Sequence, residues 1–142
     1  MGNIESANGP YLSIVIPAYN EEINIYRTIS EFSNFLKRLR IRYEIIVVDD
    51  GSNDNTSLIV EDFIKKDNHA SLLKNRSNKG KGYAVKKGIL NSRGQYMFFT
   101  DANLFYPINE IDKLLKMLEK YDVVIASRFH PKAKVKTFPH LH

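Results

Sequence analysis

Short unbroken apolar runs alternate along this chain with longer stretches in which apolar residues recur every three or four positions, and that alternation limits the folds open to it. Leu12–Ile16, Glu44–Val48, Ser71–Lys74, Gln95–Thr100 and Asp122–Ala126 are the runs. All five read as strands, and Glu44–Val48, which lacks polar alternation, fits one covered on both faces. Between them lie the periodic stretches. Ile25, Ile29, Phe32, Leu36 and Leu39 form one stripe, Ile59, Val60, Phe63 and Ile64 a second, and Ile111, Leu114, Leu115 and Leu118 a third within 108–121. A shorter helix is expected over 83–90. These stripes have the spacing of helices that bury one side. Strand and helix in strict alternation predict an α/β domain: a mostly parallel, Rossmann-like sheet of five strands with helices on both faces. Pro17 is expected to stop the first strand, and Asn20 to cap a helix opening with Glu21 and Glu22 near its positive end. The polar residues 1–10 read as a flexible start, 11–128 as the domain, and 129–142, which lack periodicity, as a loop or mobile tail.

Sheets of this kind bind ligands beyond the carboxyl ends of their strands. Here those ends carry Pro17-Ala18-Tyr19-Asn20-Glu21, Asp49-Asp50-Gly51-Ser52 and Asp101-Ala102-Asn103. Adjacent strand residues point to opposite faces, so one of Asp49 and Asp50 should face the crevice and could accept hydrogen bonds from a base or ribose. The alternative is that both begin the turn and cap the next helix. Tyr19 offers a flat apolar face for stacking, or simply packs. Gly80-Lys81-Gly82 lets backbone approach an anion closely, with Lys79 and Lys81 supplying charge, although the spacing is not that of a Walker loop. Asp101 and Asn103, two apart, can reach one side of an extended segment and offer oxygen to a hard cation such as Mg²⁺ or Mn²⁺, or they close the strand as an Asx turn.

Charge narrows the classes of partner. The 142 residues carry a formal net charge of +5 and no cysteine, which excludes disulfides and thiolate metal sites. Lys74, Arg76, Lys79, Lys81, Lys86 and Lys87 fall in one acid-free run, and Arg128, Lys132, Lys134 and Lys136 group near the end. Such runs are either solvated faces or docking surfaces for phosphate, nucleic acid or anionic lipid. No apolar run is long enough to span a bilayer, and MGNIESANGP lacks a signal-peptide pattern, so a cytoplasmic chain is expected. The tail cations would hold it at the cytoplasmic membrane face as a peripheral contact.

The stretches SIVIPAYNEE, EIIVVDDGSNDNT, NKGKGYAVKKGIL, QYMFFTDANLFYPINEIDKLL and DVVIASR, in this order, resemble family 2 glycosyltransferases of the GT-A fold. The likeness is to the branch acting on dolichyl or other polyprenyl phosphates with glucose or mannose. It runs from about Tyr11 to Arg128. The resemblance implies a nucleotide-binding loop of Pro17, Tyr19 and Glu21, with Asp50 holding base or ribose and Lys81 near the donor phosphates. It implies that Asp101 is the catalytic residue, touching the donor sugar or the metal-diphosphate group, with Asp101 and Asn103 as metal ligands and Mg²⁺ or Mn²⁺ as cofactor. The implied reaction moves a sugar, glucose by preference, from a donor such as UDP-glucose to a lipid phosphate with inversion, and no nucleic acid takes part.

Two departures shape the expectation. The family motif usually reads Asp-x-Asp, whereas Asn103 carries an amide and Phe105 replaces a polar contact, so a weaker grip on the cation is expected. Family members also continue further, so the donor half is expected complete and much of the acceptor half missing. The alternative is a truncated or inactive nucleotide-sugar-binding module. More distant are a receiver-type signalling module, whose acid pair would follow the first strand rather than the second, and a nucleic-acid-binding protein tracking phosphates with its basic run.

Overall fold

The computed structural model describes residues 8–127 and 129–134. The chain divides into two compact units, 1–108 and 109–142. In the first, four strands and three helices alternate: β1 (Leu12–Ala18), α1 (Ile25–Leu39), β2 (Tyr43–Asp49), α2 (Thr56–Ile64), β3 (Ala70–Lys74), α3 (Lys81–Leu90) and β4 (Tyr96–Phe99). The second unit holds α4 (Glu110–Leu118).

The strands form one parallel sheet in the order β3-β2-β1-β4. Chain order reverses beside β1, because β2 and β3 extend to one side while β4 joins the other. That is where a sheet of this topology opens a crevice. Both faces of the two central strands are covered, as their unbroken apolar sequence requires. Leu12, Ile14, Ile16, Ile45 and Val47 are fully buried on one face. Ile25, Ile29, Phe32 and Leu36 form the buried stripe of α1, which packs with α2. On the other face Val15, Ile46 and Val48 pack against Ala84 of α3. Gly88 is required there, since a Cβ would stand 2.2 Å from a Val15 methyl.

Several expectations need correction. β1 does not stop at Pro17 but continues to Ala18, paired with β2 throughout. The amide of Asp50 donates to Ala18 on the β2 side and that of Thr100 to Val15 on the β4 side. Alternation therefore turns the missing N–H of Pro17 toward β4, past the last β1–β4 pair, where no ladder bond is lost. Helix α1 begins at Ile25, and Asn20 is not its cap but a left-handed residue with φ 52°. The expected fifth strand is absent: Asp122–Ala126 is irregular, with Val123 and Ile125 exposed. A strand exists only through pairing, and these residues have no ladder partner among those described. Helix α4 is shorter than the stretch 108–121. Most of the expected flexible start, and Arg128 and Lys136 of the tail, lie outside the described residues.

Candidate active site

A cavity of about 280 Å³ opens at the carboxyl ends of β1, β2 and β4, lined by Pro17, Tyr19, Glu21, Asp50, Lys81, Asp101 and Asn103 among others. Each residue to which the family resemblance gave a role in the site lines it, whereas Lys79 of the glycine-basic loop does not.

The loop after β1 is stitched to the loop after β2. The Asn20 amide donates to Ser52 Oγ (2.9 Å), that of Glu21 to Thr56 Oγ1 (2.9 Å) and that of Glu22 to Asp54 Oδ2 (3.1 Å). In return Asn53 N–H donates to Asn20 Oδ1 and Asn55 N–H to Glu22 Oε2. These cross-links commit residues 20–22 to the loop and delay α1. They also hold the chain next to Tyr19, which is 43% exposed and lines the cavity.

Asp49 and Asp50 part to opposite faces, as strand geometry demands. Asp49 turns toward α2, accepting from Ser52 N–H and Ser57 Oγ. Asp50 turns toward α3 and lines the cavity, with both oxygens engaged. It accepts from Asn75 Nδ2 (2.7 Å), from the Lys79 amide (2.9 Å) and from the Gly80 amide (2.8 Å). Burial by itself would raise its pKa, but these donors outweigh it and hold the carboxyl below its ordinary value. Asp50 is thus the anchor of the glycine-basic loop. That loop lies against Gly51, whose φ of 77° and close backbone neighbours leave no room for a side chain: a Cβ would sit 2.6 Å from Ser77.

The two lysines around Gly80 separate. Lys81 turns into the cavity and pairs with Asp101. Lys79 lies 4.9 Å over the Tyr83 ring and is not among the lining residues. On the far wall Thr28 Oγ1 of α1 donates to the Ala102 carbonyl at 2.5 Å, fixing the segment between Asp101 and Asn103. Leu104 follows with φ 50°, a left-handed conformation unfavourable for a side chain of this size.

Asn103 Oδ1 is buried and has no hydrogen-bond partner among the described residues. An orphaned amide oxygen on a residue that lines the same cavity as Asp101 suits a hard cation, which takes oxygen ligands. With no cluster of three or more His, Cys, Asp or Glu among the described residues, a cation here would need ligands from the bound molecule as well. The sequence reading missed Asn75, Thr28 and Asn78, the last of which lines the cavity and accepts from the Gly80 amide at 3.0 Å. The two asparagines lay in plain view at the end of β3 and before Lys79, but a hydrogen bond from α1 to residue 102 has no sequence signature.

Residues 13–142 match the glycosyl transferase family 2 model. The chain belongs to that family. It is 41% identical over 132 residues to dolichyl-phosphate beta-glucosyltransferase of Dictyostelium discoideum, covering 84% of this chain and 40% of that protein. It is 36% identical over 118 residues to the protein of that name from Saccharomyces cerevisiae, covering 79% and 35%. The chain thus spans about two fifths of the curated relatives it matches. A mannosyltransferase from Pyrobaculum calidifontis, solved with GDP-mannose and Mn²⁺, superposes with a TM-score of 0.64 at 23% identity, over 78% of this chain and 32% of that one. The fold is therefore GT-A, as the motifs implied, with its mostly parallel sheet flanked by helices. Among the described residues no helix is long and apolar enough to cross a membrane.

Proposed function

We propose that this glycosyltransferase domain binds a nucleoside diphosphate sugar, UDP-glucose by preference, in the cavity at the rim of β1, β2 and β4, as the donor half of an enzyme that transfers the sugar with inversion to a polyprenyl phosphate. The carrying observation is the convergence of Pro17, Tyr19, Glu21, Asp50, Lys81, Asp101 and Asn103 on that cavity. The names of the relatives support the lipid phosphate and the glucose.

In this reading Tyr19 stacks on the base, with Pro17 and Glu21 forming the same wall. Asp50, with both oxygens engaged by its own loop, positions that loop beside the base or ribose. Lys81 exchanges Asp101 for the diphosphate, a charge-assisted contact in a site partly shielded from water. Asp101 and Asn103 hold Mg²⁺ or Mn²⁺, which when bound neutralises charge growing on the departing diphosphate. A polyprenyl phosphate is already ionised near neutral pH, so the chain's task is positioning and charge stabilisation rather than proton removal. Calorimetric titration of UDP-glucose, GDP-mannose and UDP with and without Mn²⁺ tests the reading. Heat for UDP-glucose that grows with Mn²⁺ and vanishes in Asp101→Ala is expected; no nucleotide binding under any condition removes it.

A further inference from the structure

From Asn68 to Thr100 the chain contains no acid and seven cations: Lys74, Arg76, Lys79, Lys81, Lys86, Lys87 and Arg93. The structure accounts for four of them. Lys74 pairs with Glu61, Lys81 with Asp101 and Arg93 with Glu44, while Lys87 donates to the Lys74 carbonyl and Asn75 Oδ1. Lys79 lies over the Tyr83 ring. Arg76 and Lys86 are exposed and form no ion pair with any described residue.

Lys79 and Lys86 share the outer side of α3 with apolar side chains that are exposed among the described residues, and Arg76 lies in the loop leading into that helix. Helix α3 buries Ala84 and Gly88 against the sheet, which turns Tyr83, Lys86 and Leu90, spaced three and four apart, to solvent. Tyr83 is 46% and Leu90 73% exposed. Beyond the helix, the register Ser13↔Met97 and Val15↔Phe99 puts Met97 and Phe99 on the same face of the sheet as α3, each about half-exposed. A surface that sets lysines beside an exposed tyrosine and leucine, with more apolar surface next to it, combines the charge and the amphipathic side chains that a membrane boundary accepts.

We propose that the outer face of α3, with Tyr83, Lys86 and Leu90, together with Arg76 and Lys79 of the loop leading into it, docks on an anionic lipid surface. Its cations meet headgroup phosphates, and Tyr83 and Leu90 enter the boundary layer. The choice of lipid over another polyanion rests on the polyprenyl-phosphate acceptor proposed above. The placement agrees with that chemistry, because the first turn of α3 supplies Lys81 and Ala84 to the lining of the cavity. A domain seated on this face would hold its donor site beside the layer in which a lipid phosphate resides.

The test is cosedimentation of the whole chain with vesicles of phosphatidylcholine alone or mixed with phosphatidylserine. Binding to the mixed vesicles only is expected, weakening about fivefold for each cation removed. Arg76→Glu/Lys86→Glu should abolish it, and Tyr83→Ser/Leu90→Ser should leave weak binding that salt strips away. Unchanged binding in the charge-reversed variant, equal binding to neutral vesicles, or binding to an oligonucleotide with none to vesicles overturns the proposal. Titrating UDP-glucose into the same samples separates the two readings. Variants that bind nucleotide but not vesicles are folded and support the lipid face. A parent chain that binds mixed vesicles but no nucleotide removes the donor site and leaves the lipid face standing.

Discussion

Lys81 of the glycine-basic loop is bonded through its ammonium to the carboxylate of Asp101 just beyond the end of β4, so two residues given separate roles in the donor site hold each other. Both are partly exposed, 57% and 38% at the side chain. In such a setting an ion pair adds only about 0–1 kcal/mol to stability. Lys81→Met should therefore melt near the parent temperature while losing about tenfold or more in affinity for UDP, the worth of one charge-assisted contact. Thermal melts and calorimetry check both halves, and a large drop in stability with unchanged affinity would make Lys81 a structural residue.

Asp50 is expected to behave in the opposite way. It is 3% exposed, and its acceptors satisfy Asn75 and two backbone amides. In Asp50→Asn one oxygen becomes a donor facing donors, which should cost about 1–3 kcal/mol. Hydrogen exchange at Lys79 and Gly80 should accelerate before global unfolding. Protection equal to the parent at both amides would count against the anchoring role.

Acid should weaken the fold by a defined route. Asp50 and Asp67 both titrate below the ordinary carboxyl range, because hydrogen bonds (and, at Asp67, the Lys37 ammonium) outweigh the effect of burial. Their folded values lie under the unfolded value of about 3.9, so their stabilisation is complete above that pH and disappears as pH falls through the folded values. Urea midpoints should be flat from neutral to about pH 5 and fall below about pH 4. Asp67→Asn should show a shallower acid limb, and a midpoint that rises on acidification would contradict the assignment.

The orphaned oxygen of Asn103 gives a prediction with two signs. Asn103→Asp places a second carboxylate beside Asp101, so the metal-free protein should lose stability through like-charge repulsion. Added Mn²⁺ should raise its melting temperature by more than it raises the parent's, since a full charge replaces a dipole. Identical Mn²⁺ responses would place Asn103 outside any coordination shell.

Much of this was legible in the sequence, for physical reasons. Ile45–Val48 could be read as a central strand because only a strand covered on both faces needs so unbroken an apolar run. The split of Asp49 from Asp50 followed from the two-residue period of a strand, before any loop was placed. What failed depended on partners. Asn20 resembles a cap, but Ser52 and Asn53, distant in sequence, draw it into a left-handed turn. Val123 and Ile125 resemble strand residues, yet β-branched side chains do not supply a ladder. The saturation of Asp50 was hidden for the same reason, because its donors arrive from a loop held against Gly51 by close backbone contact.

The most direct test is amide shift perturbation by two-dimensional NMR of the ¹⁵N-labelled chain titrated with UDP-glucose. The largest changes should fall at Tyr19, Glu21, Lys79, Gly80, Lys81 and Asp101, in and around the rim cavity. Shifts gathered instead at Tyr26, Ile59 and Phe63, which line a separate groove between α1 and α2, would contradict a donor site at the strand ends.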